Sequence, residues 1–369
     1  MRSHTLPAQM PGRVALVHDY LTQRGGAERV VLALTRAFPG APLYTSLYEP
    51  ETTFPEFADV DVRPLPLNRL APLRARHRLA LPLLASAFSR LRLGEDTVVC
   101  SSSGWAHGTN VAGEKIVYCH TPARWLYQPE RYLRGHGHAT RVATRLLRPA
   151  LERWDRRAAA SADRYLANSS AVAERIGHIY GLEAEVLPPP PAVGPDGVAE
   201  PVAGLEPGFV LCVSRLLPYK NLDAVVGAFA RLSDERLVLV GSGPVEATLR
   251  NLAGTNVTLI GTVSDEQLRW LYRECSGLVA ASHEDFGLTP LEVAGFGHPS
   301  AVLRWGGFLD TVAEGGTGLF FESPTPDDVA DAVRRLSRHA WDADSIRAHA
   351  QRFSEERFIE RILTIVGAD

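Results

Sequence analysis

The chain has 369 residues, 45% of them hydrophobic and 22% charged, with four cysteines and a formal net charge of −3. That length suits two domains of roughly 150–200 residues with ample cores, and no apolar run approaches the roughly 18–20 residues that cross a bilayer. Cys100, Cys119, Cys212 and Cys275 are widely spaced with no CxxC pair, which argues against a disulfide framework or a zinc site and for buried free thiols.

The opening MRSHTLPAQMPGR holds no apolar signal-peptide core, so a cytoplasmic location is expected. RVALVHDY (13–20) reads as a strand, and RGGAERVVLALTRAF (24–38) as a glycine turn entering a helix. Gly25 and Gly26 would let the backbone approach a phosphate, or would make a plain tight turn; the pair is not the dinucleotide-binding G-x-G-x-x-G. Residues 68–93, NRLAPLRARHRLALPLLASAFSRLRL, are basic and apolar together at roughly helical spacing. Two readings are open: an element lying on an anionic membrane surface, or a helix covering the core with arginines outward. DTVVCSS (96–102), KIVYCHT (115–121) and RYLANSS (164–170) are further strands, and an Arg-rich helix runs from about 138 to 161. His120, just past a strand, suits contact with a substrate hydroxyl or phosphate, and equally a satisfied structural role.

The stretch 187–208 holds seven prolines and reads as a linker, taken as 191–207, between a domain at 1–190 and a second at 208–352. Past it, apolar runs and helical stretches alternate. FVLCVS (209–214), RLVLVG (236–241), NVTLIG (256–261), GLVAAS (277–282), SAVLR (300–304) and GLFF (318–321) are strands. Helices fall at 221–232, 245–254, 264–275, 289–297 and 309–315 and from about 326; Ser264/Gln267 and Thr325/Asp328 stand at capping-box spacing. Strict alternation with strands apolar on both faces predicts an α/β fold, two Rossmann-like doubly wound parallel-sheet domains facing across a cleft. Ligands then bind at the carboxyl ends of strands.

Charge is unevenly divided: residues 1–160 hold 22 Lys/Arg against 13 Asp/Glu, and the remainder 17 against 29. A basic first half suits anionic membrane or lipid phosphate; no nucleic-acid partner is expected, because aromatics are not patterned as stacking platforms. Of the 39 cations only Lys115 and Lys220 are lysines. Lys220 and Arg215 bracket a loop after the first strand of the second half, an arrangement suited to a diphosphate or to a merely solvated basic loop. In SHEDFGLTPLEVAGFG (282–297), Glu284 lies just past a strand, and the amides of Phe286, Gly287 and Leu288 precede a helix. Glu292 stands at capping-box spacing from Thr289, which competes with a ligand role. GSGP (241–244) reads as a turn.

HDYLTQRGGAERV (18–30), HTPARWLY (120–127), NSSAVAERI (168–176), SRLLPYKN (214–221), VGSGP (240–244) and HEDFGLTPLEVAGFG (283–297) together resemble the family 4 retaining glycosyltransferases of the GT-B fold. The resemblance implies a donor nucleotide sugar held mainly by the second domain, with Arg215 and Lys220 on the diphosphate and Glu292 on the ribose. It implies Glu284 and His120 beside the transferred sugar, with the amides of Phe286, Gly287 and Leu288 on sugar and phosphate. Gly25–Gly26 would approach the diphosphate, and the last helix, within 353–369, would pack on the first domain. No metal is expected, and no D-x-D motif is placed to hold one. The variant motifs look most like bacterial GDP-mannose-dependent mannosyltransferases of polysaccharide biosynthesis, with a UDP-sugar open. The implied acceptor is a lipid-linked or cell-envelope saccharide. A GT-B nucleotide-sugar epimerase and a non-catalytic nucleotide-sugar-binding protein are the alternatives.

Overall fold

The computed structural model describes residues 12–75, 80–128 and 138–367. The chain divides into two compact units: Met1–Pro189 together with Glu355–Asp369, and Pro190–Ser354.

The first unit is built on a seven-stranded sheet of β1 (Val14–His18), β2 (Leu43–Thr45), β3 (Val62–Pro64), β4 (Thr97–Ser102), β5 (Glu114–Cys119), β6 (Arg164–Ala167) and β7 (Glu185–Val186). Their order is β3-β2-β1-β4-β5-β6-β7, every pair parallel. Successive side chains of a strand face opposite ways, so β1 feeds two cores. Val14 and Leu16 join α1 (Gly26–Ala37) and the C-terminal helix Glu355–Val366, through Val30, Leu34, Phe358 and Ile362. Ala15 and Val17 pack on the other face with Leu84 and Phe88 of α2 (Leu81–Arg90) and Val172 and Ile176 of α4 (Ser170–Tyr180). The long α3 (His138–Ala160) precedes β6.

The basic, apolar segment 68–93 is not one helix: a 3-10 turn (Pro66–Arg69), a short helix (Ala71–Ala75) and α2 follow one another. Residues 76–79 lie outside the described set, as do 129–137 of the Arg-rich stretch. Leu84 and Phe88 are fully buried in the core, whereas Leu70 and Leu83 remain about half exposed.

The second unit has six strands, β8 (Val210–Val213), β9 (Leu237–Val240), β10 (Val257–Gly261), β11 (Gly277–Ala280), β12 (Ser300–Leu303) and β13 (Gly318–Phe321). They are ordered β10-β9-β8-β11-β12-β13 and are all parallel. Helices α5 (Leu222–Phe229) and α8 (Pro326–Arg338) cover one face; α6 (Asp265–Glu274) and α7 (Thr289–Gly295) cover the other. The Ser264/Gln267 capping box forms in full, while Thr325 caps α8 in one direction only. The helix expected at 309–315 is instead the single turn Phe308–Thr311. Beyond it the Ala313 amide donates to Thr317 Oγ1 (2.9 Å) and the Gly315 amide to the Gly318 carbonyl (2.8 Å), turning the chain into β13. The proline-rich stretch 191–207 is irregular but packed on this unit: Val193 is buried, and the Glu200 amide donates to the Glu266 carbonyl at 3.0 Å.

Candidate active site

In each sheet the strand order reverses once, and the carboxyl ends of the two strands flanking the reversal open a crevice for a ligand. In the second unit those strands are β8 and β11, and their trailing loops, 214–221 and 281–288, carry most of the candidate residues. The Lys220 ammonium is buried and donates to Glu284 Oε1 from across the two loops. Ser282 Oγ donates to the same oxygen at 2.7 Å. Asn221 adopts a left-handed conformation (φ 53°) that ends the turn holding Lys220, and its Nδ2 donates to the Ala281 carbonyl at 2.8 Å. The two loops are thereby tied at both ends of the lysine. Arg215 stays exposed, its Nη2 3.5 Å from the Tyr219 hydroxyl, and the Tyr219 ring lies 5.2 Å from the Lys220 nitrogen.

Glu292 is buried, and the expected capping box with Thr289 does not form. The N-cap of α7 is Leu288, one residue earlier than the box requires, and has no side-chain cap. The carboxylate accepts instead from the Tyr272 hydroxyl (2.6 Å) and the Ala192 amide (3.1 Å). Burial, then the Glu292 charge, holds the Tyr272 phenol well above its ordinary pKa, so it remains a donor. Phe286 is buried, and Leu288 is half-buried at the start of α7. The amides of Phe286, Gly287 and Leu288 come before the first closed turn, where N–H groups have no intrahelical acceptor. Gly287 has φ +84°, and a Cβ there would lie 2.5 Å from the Phe308 ring.

Two supports of this site were missed by sequence reasoning. The Gly307 amide donates to the Glu284 carbonyl at 3.1 Å, and Trp305 stacks edge-on against His283 at 4.9 Å. Thus RWGGF (304–308) braces the HEDFG loop; its glycine pair after a strand was the available signal. The GSGP turn likewise braces the Lys220 loop. A Cβ on Gly241 (φ +135°) would lie 1.9 Å from the Ser214 carbonyl oxygen, and the Leu216 amide donates to the Ser242 carbonyl at 2.9 Å.

In the first unit the reversal falls between β1 and β4. Gly25 is the N-cap of α1 and Gly26 its first residue; Glu28, in the first turn, is buried and accepts from Gln23 Nε2 at 3.0 Å. His120 follows β5, nearly buried, with Nε2 2.8 Å from Ser101 Oγ. Asn168 Nδ2 donates to its carbonyl at 3.0 Å. Asp19 accepts from the amides of Ser103 (2.7 Å), Trp105 (3.2 Å) and Ala106 (2.6 Å), joining the loops after β1 and β4. Lys115 serves no such crevice: its ammonium donates to the His107 and Thr109 carbonyls and Ser161 Oγ at 3.1, 2.9 and 2.6 Å. The structure therefore gathers Arg215, Lys220, Glu284, the 286–288 amides and Glu292 on one sheet edge of the second unit, and Gly25, Gly26 and His120 on that of the first.

Residues 24–190 match the description "Glycosyltransferase Family 4", and residues 199–355 match "Glycosyl transferases group 1". A D-inositol 3-phosphate glycosyltransferase of Actinosynnema mirum is 30% identical over 242 residues, which are 56% of this chain and 58% of that protein. A Mycobacterium tuberculosis protein named GDP-mannose-dependent alpha-(1-6)-phosphatidylinositol monomannoside mannosyltransferase is 34% identical over 144 residues, 34% of this chain and 37% of that one. The matches to these curated relatives thus span between about a third and three-fifths of their length. Among solved structures, sucrose-phosphate synthase from Thermosynechococcus elongatus shares the fold with TM-score 0.71 at 19% identity, over 96% of this chain and 98% of that one. Anabaena HepE, solved with UDP-glucose, gives TM-score 0.68 at 18% identity, over 96% of this chain and all of that one. The two parallel sheets are those of the GT-B fold.

Proposed function

The chain belongs to the family 4 glycosyltransferases, and on that premise we propose that it moves a hexose, most naturally mannose, from a nucleoside diphosphate sugar to a lipid-linked or cell-envelope saccharide, with retention of configuration. The observation that carries this reading is the buried Lys220 ammonium meeting Glu284 where the strand order of the second unit reverses. A fixed cation there, with Arg215 able to swing from the surface, suits the charge that builds on a departing diphosphate. Groups preorganised at developing charge supply on the order of a few kcal/mol each. Glu292, aligned by Tyr272 and Ala192, presents a carboxylate for ribose hydroxyls. Glu284 and His120 are assigned to the sugar, the amides of Phe286, Gly287 and Leu288 to sugar hydroxyls and phosphate, and the Gly25–Gly26 turn to phosphate. The acceptor hydroxyl attacks on the face the diphosphate leaves, and the diphosphate takes its proton; no metal and no enzymic nucleophile is assigned a step.

The GDP-mannose assignment draws support from the mannosyltransferase named above; the UDP-glucose bound to HepE keeps a UDP-sugar as the second reading. We place the protein in the cytoplasm, with contact to the inner membrane face through 68–93, where Leu70 follows Arg69 in sequence and both Leu70 and Leu83 are about half exposed. No helix among the described residues is long and apolar enough to cross a membrane.

A thermal-shift series with GDP-mannose, GDP, UDP-glucose and UDP tests the donor. Stabilisation by the guanosine compounds is expected; stabilisation by uridine compounds alone overturns the donor assignment. Epimerised donor without acceptor marks an epimerase, and binding without turnover on any acceptor marks a non-catalytic protein.

A further inference from the structure

The strand reversal of the first unit is crossed by a line of three side chains. His18 closes β1, Ser101 stands beside it in register on β4, and His120 follows β5. His18 Nδ1 lies 3.1 Å from the Ser101 carbonyl oxygen and 3.0 Å from Ser101 Oγ. Ser101 Oγ in turn lies 2.8 Å from His120 Nε2. His18 and Ser101 are fully buried, at 2% and 1% exposure, and His120 reaches 9%.

Donor and acceptor chemistry assigns the protons along this line. A carbonyl oxygen only accepts, so the His18 nitrogen facing it carries the N–H. The opposite tautomer would set a nitrogen lone pair against the carbonyl in a site without solvent, at the cost of an unsatisfied buried acceptor. Burial also keeps the ring neutral by pushing its pKa down to about 4, so His18 carries one proton rather than two. Ser101 Oγ, sharing that N–H with its own carbonyl, has a single proton of its own. The remaining neighbour is His120 Nε2, and the hydroxyl donates to it.

We propose that His18 and Ser101 fix the tautomer of His120, with Nε2 as acceptor toward the core and the ring proton on Nδ1. Any hydrogen bond the neutral ring gives then leaves from Nδ1, toward an oxygen such as a sugar hydroxyl, and the ring has no lone pair left with which to act as a base. His18 and Ser101 are positioning residues. The functional half of this statement rests on the assignment of His120 to the sugar; the tautomer itself does not.

The test is a long-range ¹H–¹⁵N correlation spectrum of the ¹⁵N-labelled full chain near pH 7.5, with the His120→Gln variant identifying the His120 signals. The expected spectrum shows His120 Nδ1 protonated and Nε2 bare. A protonated Nε2 in the wild-type chain overturns the proposal, whether or not any variant folds. In Ser101→Ala, which keeps the small buried volume, the Nδ1–H preference is expected to relax to a mixture or reverse; an unchanged His120 also overturns it. Ser101→Thr, which restores the hydroxyl, is expected to restore the wild-type signature. In transfer assays Ser101→Ala lowers kcat by about ten-fold, the size of one hydrogen bond, with KM for the donor nearly unchanged. A chain with the expected tautomer and no turnover on any donor would sink the glycosyl-transfer reading and leave this assignment standing.

Discussion

Both lysines of this arginine-rich protein are buried. An ammonium is a compact charge with three donors, whereas a guanidinium is a wide planar fork. Lys115 uses all three donors on oxygens closed around it; Lys220 sits between two loops against Glu284. At both sites a compact group with three donors meets its partners in little exposed surface, the setting that suits an ammonium over a planar fork. Lys220→Ala is expected to lower diphosphate binding and turnover on the order of a hundred-fold, the usual result of removing a group preorganised at developing charge. Lys220→Arg should fail nearly as badly, read by calorimetric titration with GDP and UDP; wild-type affinity in either variant refutes the diphosphate role. Glu284→Gln removes the ammonium's resident counter-ion, so nucleoside diphosphate should bind at least as tightly while turnover falls. Weaker binding would mean that Glu284 orients the lysine instead of competing for it. His18 supplies a pH signature. Its folded pKa of about 4 lies below the 6.5 of a free imidazole, so the unfolded chain takes up a proton first as pH falls. That costs stability progressively from about pH 6.5 to about pH 4, on the order of 3 kcal/mol in all. Melting curves of His18→Gln should fall less steeply over that window than those of the wild type, and parallel curves would remove His18 as the cause.

At the scale of elements, the site depends on loops held by other loops. Gly241→Ala drives a methyl group into the Ser214 carbonyl, with no flexible side chain to yield. Gly287→Ala adds a left-handed alanine pressed on the Phe308 ring. Each should destabilise the second unit by about 1–3 kcal/mol and reduce nucleotide binding further than the stability loss explains; chemical denaturation and titration together check this. The strands of the second unit were legible because they are short, mostly apolar runs, and all but Ser300–Leu303 end at, or within two residues of, a Gly or Ser. Leu43–Thr45, Val62–Pro64 and Glu185–Val186 were not, being two or three residues long, too short for a periodicity to show; the sheet edge they extend is what makes them strands. Glu284, Lys220 and His120 stood out from chemistry and position after strands. Ser101 and Tyr272 did not, because a residue that acts by touching another far along the chain leaves no spacing to read. Glu292 shows the opposite error: its spacing to Thr289 pointed to a local bond that the buried hydroxyl of Tyr272, 20 residues away, outcompetes.

At the scale of the molecule, the connectivity is discontinuous. The chain leaves the first unit at Pro189, builds the second, and returns at Glu355. The returning helix places Phe358, Ile362, Ile365 and Val366 in the core beside Val30 and Leu34 of α1. Burying four such side chains contributes roughly 1.5–3 kcal/mol each, comparable in sum with the whole stability of a typical domain. Phe358→Ala should cost about 3–5 kcal/mol. A chain ending at Ser354 should lose the cooperative melting of the first unit while its second unit still melts on its own and still binds nucleotide. Retention of both transitions would show that the helix is dispensable.

The same helix sets an order of events on the ribosome. Domains ordinarily fold as they emerge, the N-terminal one first. Here the first unit is still missing part of its core when the second has been fully synthesised, and it is completed only once the helix Glu355–Val366 has been made. A nascent chain stalled anywhere before Glu355 therefore presents the apolar face of α1 to chaperones and proteases. Synthesis of Glu355–Val366, more than folding of any earlier segment, is what retires that exposed surface.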